Sequence, residues 1–230
     1  MGGANLITGR NLLSKRNHNT TGGADVNTPE ARTITGGLGN ASKMPGKTYG
    51  IPAKDCNVGA RLRQIAGSTC EECYAFKGRY PMANVQIAQE RRLKSLTPPL
   101  WVDAMVCLLG ALRVKYFRWH DSGDVQDIGH LKRIVGVAKR TPHINHWLPT
   151  REYSIIAKYR TVYGAFPDNL VVRLSAHMID GDAPSGYGLP TSTVSSNGSA
   201  TCPAPRQGNA CQDCRACWEP PVPNVAYGLH

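Results

Sequence analysis

Residues 114–149, VKYFRWHDSGDVQDIGHLKRIVGVAKRTPHINHWLP, change hydrophobic period twice. "VKYFRW" (114–119) is short and aromatic, which is typical of a strand, and "IGHLKRIVGVAKR" (128–140) has apolar residues at helical spacing. "INHWLP" (144–149) again predicts a strand. A strand, a helix and a second strand with short connections indicate a βαβ unit. The stretch therefore predicts an α/β fold with a parallel sheet.

Neighbouring segments continue this alternation. We predict helices over 81–96, 99–112 and 152–164, and a strand over 169–177. Residues 180–200 have the composition of a loop, in which "TSTVSS" is a candidate for a short strand.

The chain divides by composition into three parts. Residues 1–46 are rich in Gly, Asn, Thr and Ser without a sustained apolar period, which predicts a flexible N-terminal extension. Residues 47–200 carry the βα pattern and form the main domain, beginning near Lys47. Residues 201–230 form a cysteine-rich segment that we expect to pack on the same domain.

Composition also bears on location and partners. No apolar run is long enough to span a membrane and the N-terminus lacks a secretory signal, so we expect a cytoplasmic protein without membrane attachment. The 27 Lys and Arg against 16 Asp and Glu give a net charge of +11. This excess favours a polyanionic partner such as nucleic acid, although a basic surface can also be merely soluble.

Seven of the eight cysteines fall into two groups, and a reducing cytosol makes metal ligation the leading explanation for both. The first group has the spacing C-x13-C-x2-C and the second C-x8-C-x2-C-x2-C. The eighth, Cys107, lies in the apolar helix 99–112 and is interpreted as a buried free thiol. The ligand candidates are Cys56, Cys70 and Cys73 in the first group and Cys202, Cys211, Cys214 and Cys217 in the second.

The second group favours an iron–sulfur cluster. Two-residue gaps let neighbouring thiolates converge on one centre, and three closely spaced cysteines with a fourth followed by proline resemble the ferredoxin pattern. Here Cys202-Pro203 precedes the triplet instead of following it. Zinc is the main alternative for these four thiols, and a disulfide or free thiols the remaining one.

The first group has only three thiolates, one fewer than a closed cluster or a structural zinc site needs. An open coordination position can bind substrate or cofactor, so Cys56, Cys70 and Cys73 form the candidate reaction centre. Alternatively, they hold zinc with a histidine or Asp55 as the fourth ligand.

Polar residues stand at the ends of all three predicted strands, where the sites of parallel sheets lie. Arginine suits a carboxylate or phosphate, and histidine suits proton transfer near neutral pH. Each residue alone has a structural alternative as a helix cap, a turn residue or a packed histidine. The catalytic candidates are His120, Asp121, Arg151, Glu152 and His177, and the cofactor-binding candidates are Ser122, Gly123, Asp124, Arg173 and Ser175.

From about Lys47 to His230 the chain resembles the bacteriophage gene-product-eighty-eight family. The resemblance rests on long motifs, among them "YGIPAKDCNVGARLRQIAGSTCEECYAFKGRY", "FRWHDSGD", "HWLPTREY", "VVRLSAHMIDG", "CPAPRQGNACQDCRACW" and "VPNVAY". It implies a phage setting, in the cytoplasm of the host cell, and no particular reaction.

More distantly, "CEECYA" (70–75) and the following βα units resemble radical S-adenosylmethionine enzymes. That resemblance implies a partial (βα) barrel, a [4Fe–4S] cluster on Cys56, Cys70 and Cys73, and S-adenosylmethionine on its fourth iron. It also places Ser122, Gly123 and Asp124 where those enzymes have a Gly and acid motif that contacts the cofactor's amino group. The thirteen residues between the first two cysteines replace the usual three.

Three functional hypotheses follow. The first is an iron–sulfur enzyme with one or two [4Fe–4S] clusters, similar to radical S-adenosylmethionine enzymes and acting on nucleic acid or nucleotides. The second is a non-catalytic protein, stabilised by metal, that binds nucleic acid or a host protein. The third is a metal-dependent hydrolase that uses His120, Asp121, Asp124 and His177.

Overall fold

The computed structural model of the protein describes residues 26–229, which form a mixed α/β fold around one open sheet. All six strands are parallel, and each pairs with its successor in the chain, giving the order β1-β2-β3-β4-β5-β6. The strands are β1 (Lys47–Tyr49), β2 (Tyr116–Trp119), β3 (Asn145–Thr150), β4 (Leu170–Ile179), β5 (Thr191–Ser195) and β6 (Asn224–Gly228).

Within residues 26–229, six α-helices accompany the sheet. They are α1 (Thr28–Thr35), α2 (Asn57–Leu62), α3 (Ala83–Lys94), α4 (Trp101–Ala111), α5 (Ile128–Arg140) and α6 (Tyr153–Tyr163). Among the described residues, no helix has both the length and the apolar character that crossing a membrane requires.

The α/β class and the parallel sheet are confirmed, and so are the helices and strands predicted between residues 81 and 177. "TSTVSS" does contribute a strand, β5. The edge strands β1 and β6 were not predicted, because three residues in β1 and a Gly-containing end in β6 show little alternation.

The folded part begins before Lys47, earlier than predicted. Asn27 caps α1 by accepting a hydrogen bond from the Glu30 N–H at 3.0 Å, and Ala31 is fully buried against α4. Residues 1–25 of the predicted extension lie outside the described residues. The prediction missed α1 because its eight residues offer only one small buried apolar side chain.

The two faces of the sheet have different coverings. On one face, Phe117, Trp119, Leu148 and Val172 pack with α3, α4, α5 and α6 in the main core. Side chains alternate along a strand, so the residues between them point to the opposite face. There Tyr116 and Trp147 pack with Cys217, Trp218 and Val225 of the C-terminal segment. The cysteine-rich segment therefore covers the face that the helices leave open.

The turn after β2 is tightly constrained. Gly123 has φ +77°, in the left-handed region, and a Cβ built on it would lie 2.3 Å from Ile51 Cγ1 and 2.8 Å from the Ile51 carbonyl oxygen. The neighbouring Ser122 hydroxyl donates to the same carbonyl at 2.9 Å. Glycine is required here because the chain segments that follow β1 and β2 touch each other.

We expect Gly123→Ala to lower the free energy of unfolding by about 2–3 kcal/mol, from backbone strain and overpacking against Ile51. Gly208→Ala is the matched control, because Gly208 also has a left-handed backbone, φ 65° and ψ 32°, but open space around it. The control should lose only about 1 kcal/mol. Urea unfolding measures both variants, and equal losses would show that the Ile51 contact does not constrain the turn.

Candidate functional site

The first cysteine group lies in the long connection between β1 and α3. Cys56 comes directly before α2, and Cys70 and Cys73 occupy a turn closed by a hydrogen bond from the Cys73 N–H to the Cys70 carbonyl at 3.3 Å. A connection that leaves a parallel strand begins at the carboxyl edge of the sheet. The three thiols therefore belong to the edge where sites in such folds are found.

Three predicted strand-end residues hold this connection in place. The Arg151 Nε donates to Thr69 Oγ1 at 3.0 Å, and the Thr69 N–H donates to the His177 carbonyl at 2.8 Å. Glu152 Oε1 accepts from the Val58 N–H at 2.8 Å. The ends of β3 and β4 thus bind the segments next to the cysteines, and the structure brings Arg151, Glu152 and His177 together as expected.

The thiols of Cys56 and Cys70 lie in similar electrostatic surroundings. Burial raises the pKa of Cys56, and the neighbouring Asp124, Cys70 and Cys73 side chains raise it further, while Arg151 lowers it. A Cβ built on Gly59 would lie 3.5 Å from Cys56 Sγ and 3.7 Å from Cys70 Sγ. The two sulfur atoms therefore border the same space above α2, which the glycine leaves open.

Burial raises the pKa of Cys70 as well, and here the Arg151 charge is the largest opposing influence. Metal binding would replace the thiol protons that burial favours. Arg151 is half-buried beside this space and presents a guanidinium that suits a carboxylate or phosphate group.

Asp124 joins the ends of two strands. One of its oxygens accepts from the Val125 N–H at 2.7 Å, and the other accepts from the Arg151 N–H at 2.8 Å. Burial raises the pKa of this carboxyl group, and the hydrogen bond from Arg151 opposes the rise. Asp124 therefore anchors the rim close to Cys56, and with Ser122 and Gly123 it packs against the neighbouring backbone.

His120 and Asp121 leave the strand end in different directions. His120 has φ +52° and is buried beside His130, with ring centroids 5.2 Å apart, and burial lowers its pKa well below the ordinary value. Neither ring nitrogen of His120 has a hydrogen-bond partner among the described residues. Asp121 instead accepts the hydroxyl of Tyr74, the neighbour of Cys73, at its carbonyl oxygen at 2.7 Å.

His177 and Ser175 complete the rim on β4. The His177 ring stacks on Tyr153 with centroids 4.4 Å apart, and its Nε2 lies 3.4 Å from the Arg151 carbonyl oxygen. Burial lowers the pKa of His177, which keeps the imidazole neutral near pH 7. The Ser175 hydroxyl accepts a hydrogen bond from Ser192 on β5 at 3.0 Å.

The second cysteine group lines one cavity of about 300 Å³ on the face opposite the helices. Burial raises the pKa of Cys217 to about 11, and the hydroxyl of Tyr227, 3.1 Å from its Sγ, opposes the rise. The Trp218 indole N–H donates to the Phe117 carbonyl at 3.0 Å and fixes this segment on β2. The cavity walls include all four cysteines, with Pro203, Ala204, Ala216, Trp218, Val222 and Val225 among the other residues.

Several residues of the two sites were not predicted from the sequence. Thr69 and Tyr74 lie beside the first cysteine group, and Arg118 reaches toward both groups. A charged residue between aromatic residues, as in "FRW", is the signal that marks Arg118.

Arg173 was predicted at the rim, but the structure places it beneath the cysteine-rich segment, donating to the Ala216 carbonyl at 3.1 Å. Cys107 is half-buried on α4, as a packed thiol.

Across residues 26–229, no three His, Cys, Asp or Glu side chains converge closely enough to hold a single metal ion. The thiols of the second group stand around a cavity instead.

Comparison with known proteins relates the chain to one family. The model of the Gene product 88 family matches residues 11–220, which is most of the chain. No curated protein and no solved structure matches it. The first resemblance drawn from the sequence is thereby confirmed, whereas no comparison supports the second, to radical S-adenosylmethionine enzymes. The chain belongs to the Gene product 88 family of phage proteins.

Proposed function

We propose that the protein is an iron–sulfur enzyme with two cysteine-ligated centres, working in the host cytoplasm on nucleic acid or a nucleotide. The observation that carries the proposal is the place of the three-thiol group. Cys56, Cys70 and Cys73 follow β1, the first strand of a parallel sheet whose strands are arranged in chain order. They lie at the carboxyl edge of the sheet, where Arg151 and His177 also lie.

The second group fits a closed metal centre, in which cysteine thiolates fill all the coordination positions open to protein ligands. Its four thiols line a single cavity of about 300 Å³. We propose a [4Fe–4S] cluster on Cys202, Cys211, Cys214 and Cys217, because three closely spaced cysteines with a fourth followed by proline resemble the ferredoxin pattern, and zinc is the alternative metal.

The first group fits a centre with one open position. The sulfur atoms of Cys56 and Cys70 border the space above Gly59, with Cys73 in the same turn as Cys70, and the charges of Asp124 and Arg151 act on Cys56 with opposite effects. A [4Fe–4S] cluster bound there would supply an iron able to coordinate a small molecule and to deliver an electron to it. Arg151 would orient a carboxylate or phosphate group, and the Tyr153–His177 stack would form an aromatic wall beside it.

The sheet is consistent with the finer proposal of a radical S-adenosylmethionine-like enzyme. A sequential, all-parallel strand order with the cysteine connection after the first strand is the order of a partial (βα) barrel. On this proposal, S-adenosylmethionine is the small molecule at the open position. Asp124 supports that site indirectly, because backbone N–H groups occupy both of its carboxylate oxygens.

The metal-dependent hydrolase is disfavoured by the positions of its proposed ligands. His120 is buried beside His130, and the oxygens of Asp124 hold the backbone of Val125 and Arg151. These side chains would have to leave those places before they could share an ion with His177.

We expect the protein purified without oxygen to contain iron and sulfide, about eight of each per chain if both groups hold a [4Fe–4S] cluster. Cys70→Ala should retain about half of both, because the second group is a separate cavity. Elemental analysis and the visible absorption spectrum measure this. Zinc without iron would contradict the iron–sulfur proposal, and complete loss of metal in Cys70→Ala would indicate one shared site.

We expect dithionite-reduced protein to cleave S-adenosylmethionine to 5′-deoxyadenosine, measured by chromatography with mass detection. Arg151→Met should reduce the yield at least tenfold, because Arg151 orients the bound molecule and braces Thr69. Arg113→Met, at the opposite edge of the sheet, is the control. An iron-loaded protein that forms no product with candidate substrates would favour the binding role instead.

A non-catalytic nucleic-acid-binding role is the second candidate, because exposed cations flank the first cysteine group along the chain. Arg61, Arg63, Lys77 and Arg79 are all exposed in the connection between β1 and α3, and the Arg63 guanidinium lies 3.6 Å from the centroid of the Phe76 ring. Cations interleaved with aromatic rings suit a single-stranded polyanion.

We expect Arg61→Glu/Arg63→Glu to weaken binding of a single-stranded oligonucleotide at least tenfold and to flatten its salt dependence, measured by fluorescence anisotropy. Arg113→Glu/Lys115→Glu makes the same charge change on exposed residues that precede β2, at the opposite edge. Equal losses in the two variants would mean that attraction comes from net charge alone and that this edge is not the interface.

A further inference from the structure

Two arginines project from the sheet face that the cysteine-rich segment covers. Arg118 lies on β2 and Arg173 on β4, and Arg173 is fully buried with 0% exposure. The ion pairs among residues 26–229 are Lys54–Glu90, Lys77–Glu72 and Arg140–Asp103. Within that part of the chain, neither Arg118 nor Arg173 has a carboxylate within 4.0 Å.

The hydrogen bonds of Arg173 go to uncharged groups. Its Nη1 donates to the carbonyls of Thr191 at 2.8 Å and Val222 at 3.2 Å, and its Nη2 donates to the Ala216 carbonyl at 3.1 Å. Its Nε has no acceptor among the described residues. A guanidinium stays protonated in proteins, so a full positive charge is buried here without a carboxylate to balance it.

The groups that can balance this charge are in the second cysteine group. Arg173 faces Cys217 and Tyr227, and a tyrosine hydroxyl is neutral near pH 7. Cys217 follows Ala216 directly, whose carbonyl Arg173 holds. A neutral thiol leaves the guanidinium uncompensated, whereas metal ligation converts the thiol to a thiolate.

Arg118 approaches the same group from the other side. Its guanidinium lies 4.4 Å from the centroid of the Trp147 ring and donates to Met44 Sδ at 3.2 Å and to the Tyr74 hydroxyl at 3.0 Å. Its charge faces Cys211 and Cys217, and also Asp121. The positive charge of Arg118 is thus partly balanced by the carboxylate of Asp121. In the part of the chain that the structure describes, the charge of Arg173 has no carboxylate nearby to balance it.

We infer that Arg173 is the built-in counter-charge of an anionic metal–thiolate centre held by Cys202, Cys211, Cys214 and Cys217, with Arg118 as its second cation. Four thiolates around a dication carry a net charge of about −2, which two guanidinium groups match. The inference rests on the proposed metal centre, but it holds for a cluster and for zinc alike. Arg173 acts as a positioning residue, since it contacts the segment and not the metal.

A purely mechanical role for Arg173 makes a different prediction. If it only clamps the carbonyls of Ala216 and Val222, its loss destabilises the protein equally with and without metal. If it balances charge, its loss harms the metal-loaded protein and relieves the metal-free protein, in which the guanidinium is unpaired.

The test compares Arg173→Gln, which keeps hydrogen-bonding capacity without charge, with Arg173→Lys, which keeps the charge. Arg160→Gln is the control, because Arg160 also donates to a backbone carbonyl, that of Tyr187, but on the helix side of the sheet. All are made in the full-length Cys70→Ala protein, so that the second group gives the signal. The measurements are metal retained after dialysis against a chelator, midpoint potential, and melting temperature with and without metal.

We expect Arg173→Gln to retain at least fivefold less metal and to have a lower midpoint potential, because the reduced centre carries one more negative charge. Arg173→Lys and Arg160→Gln should resemble the parent. Arg173→Gln should melt lower than the parent when loaded and no lower when stripped. Metal retention and potential equal to the parent, or equal melting losses in both states, would overturn the inference and leave the iron–sulfur proposal standing.

Zinc in place of iron at the second group would contradict the iron–sulfur proposal there. The amount of zinc that each variant retains would still show whether Arg173 balances charge or only holds the backbone carbonyls. A parent protein that holds no metal at these four cysteines would overturn the inference together with the closed centre. Should Arg173→Gln fail to fold, Arg118→Gln against Arg118→Lys gives the same comparison at the second cation.

Discussion

All six strands run in one direction and each pairs with the next in the chain, so every connection must leave the sheet at its carboxyl edge and return to its amino edge. This constraint collects residues from distant parts of the chain at one rim. The cysteine connection after β1, the turn after β2 and the ends of β3 and β4 meet there because they have no other edge to occupy. The candidate site is a consequence of this topology.

Polar cross-links make the rim a defined structure. Asp124 after β2 holds the Arg151 backbone after β3, and the Arg151 side chain holds Thr69 beside Cys70. Thr69 in turn holds the carbonyl of His177 on β4. Each residue in this chain of hydrogen bonds holds the next in position, so residues predicted as catalytic also stabilise the local structure. Loss of one brace would therefore move the thiols as well as remove a functional group.

Much of this was predictable, and the failures have identifiable causes. Helices α3 to α6 and strands β2 to β4 have hydrophobic periods long enough to predict them from the sequence. Because sites in parallel sheets lie at the carboxyl ends of the strands, Arg151, Glu152 and His177 were expected to lie together, and the structure places them so. His120 departs from the rule because its left-handed backbone turns the ring toward His130, and a local conformation of that kind leaves no periodic signal. The short β1 and the isolated α1 depend on tertiary contacts that sequence periodicity does not record.

The two faces of the sheet explain why the cysteine-rich segment is part of the domain. The helices cover the face that carries Phe117, Trp119 and Leu148, which is a conventional apolar core. The other face carries Arg118, Trp147 and Arg173, and apolar side chains alone cannot cover two guanidinium groups. Its cover must supply acceptors and negative charge as well as apolar contact. Segment 201–229 supplies all three when its thiols are ionised, through backbone carbonyls, Trp218 and the cysteines. On the proposal of a metal–thiolate centre at these cysteines, folding of this face and formation of the centre are coupled by charge.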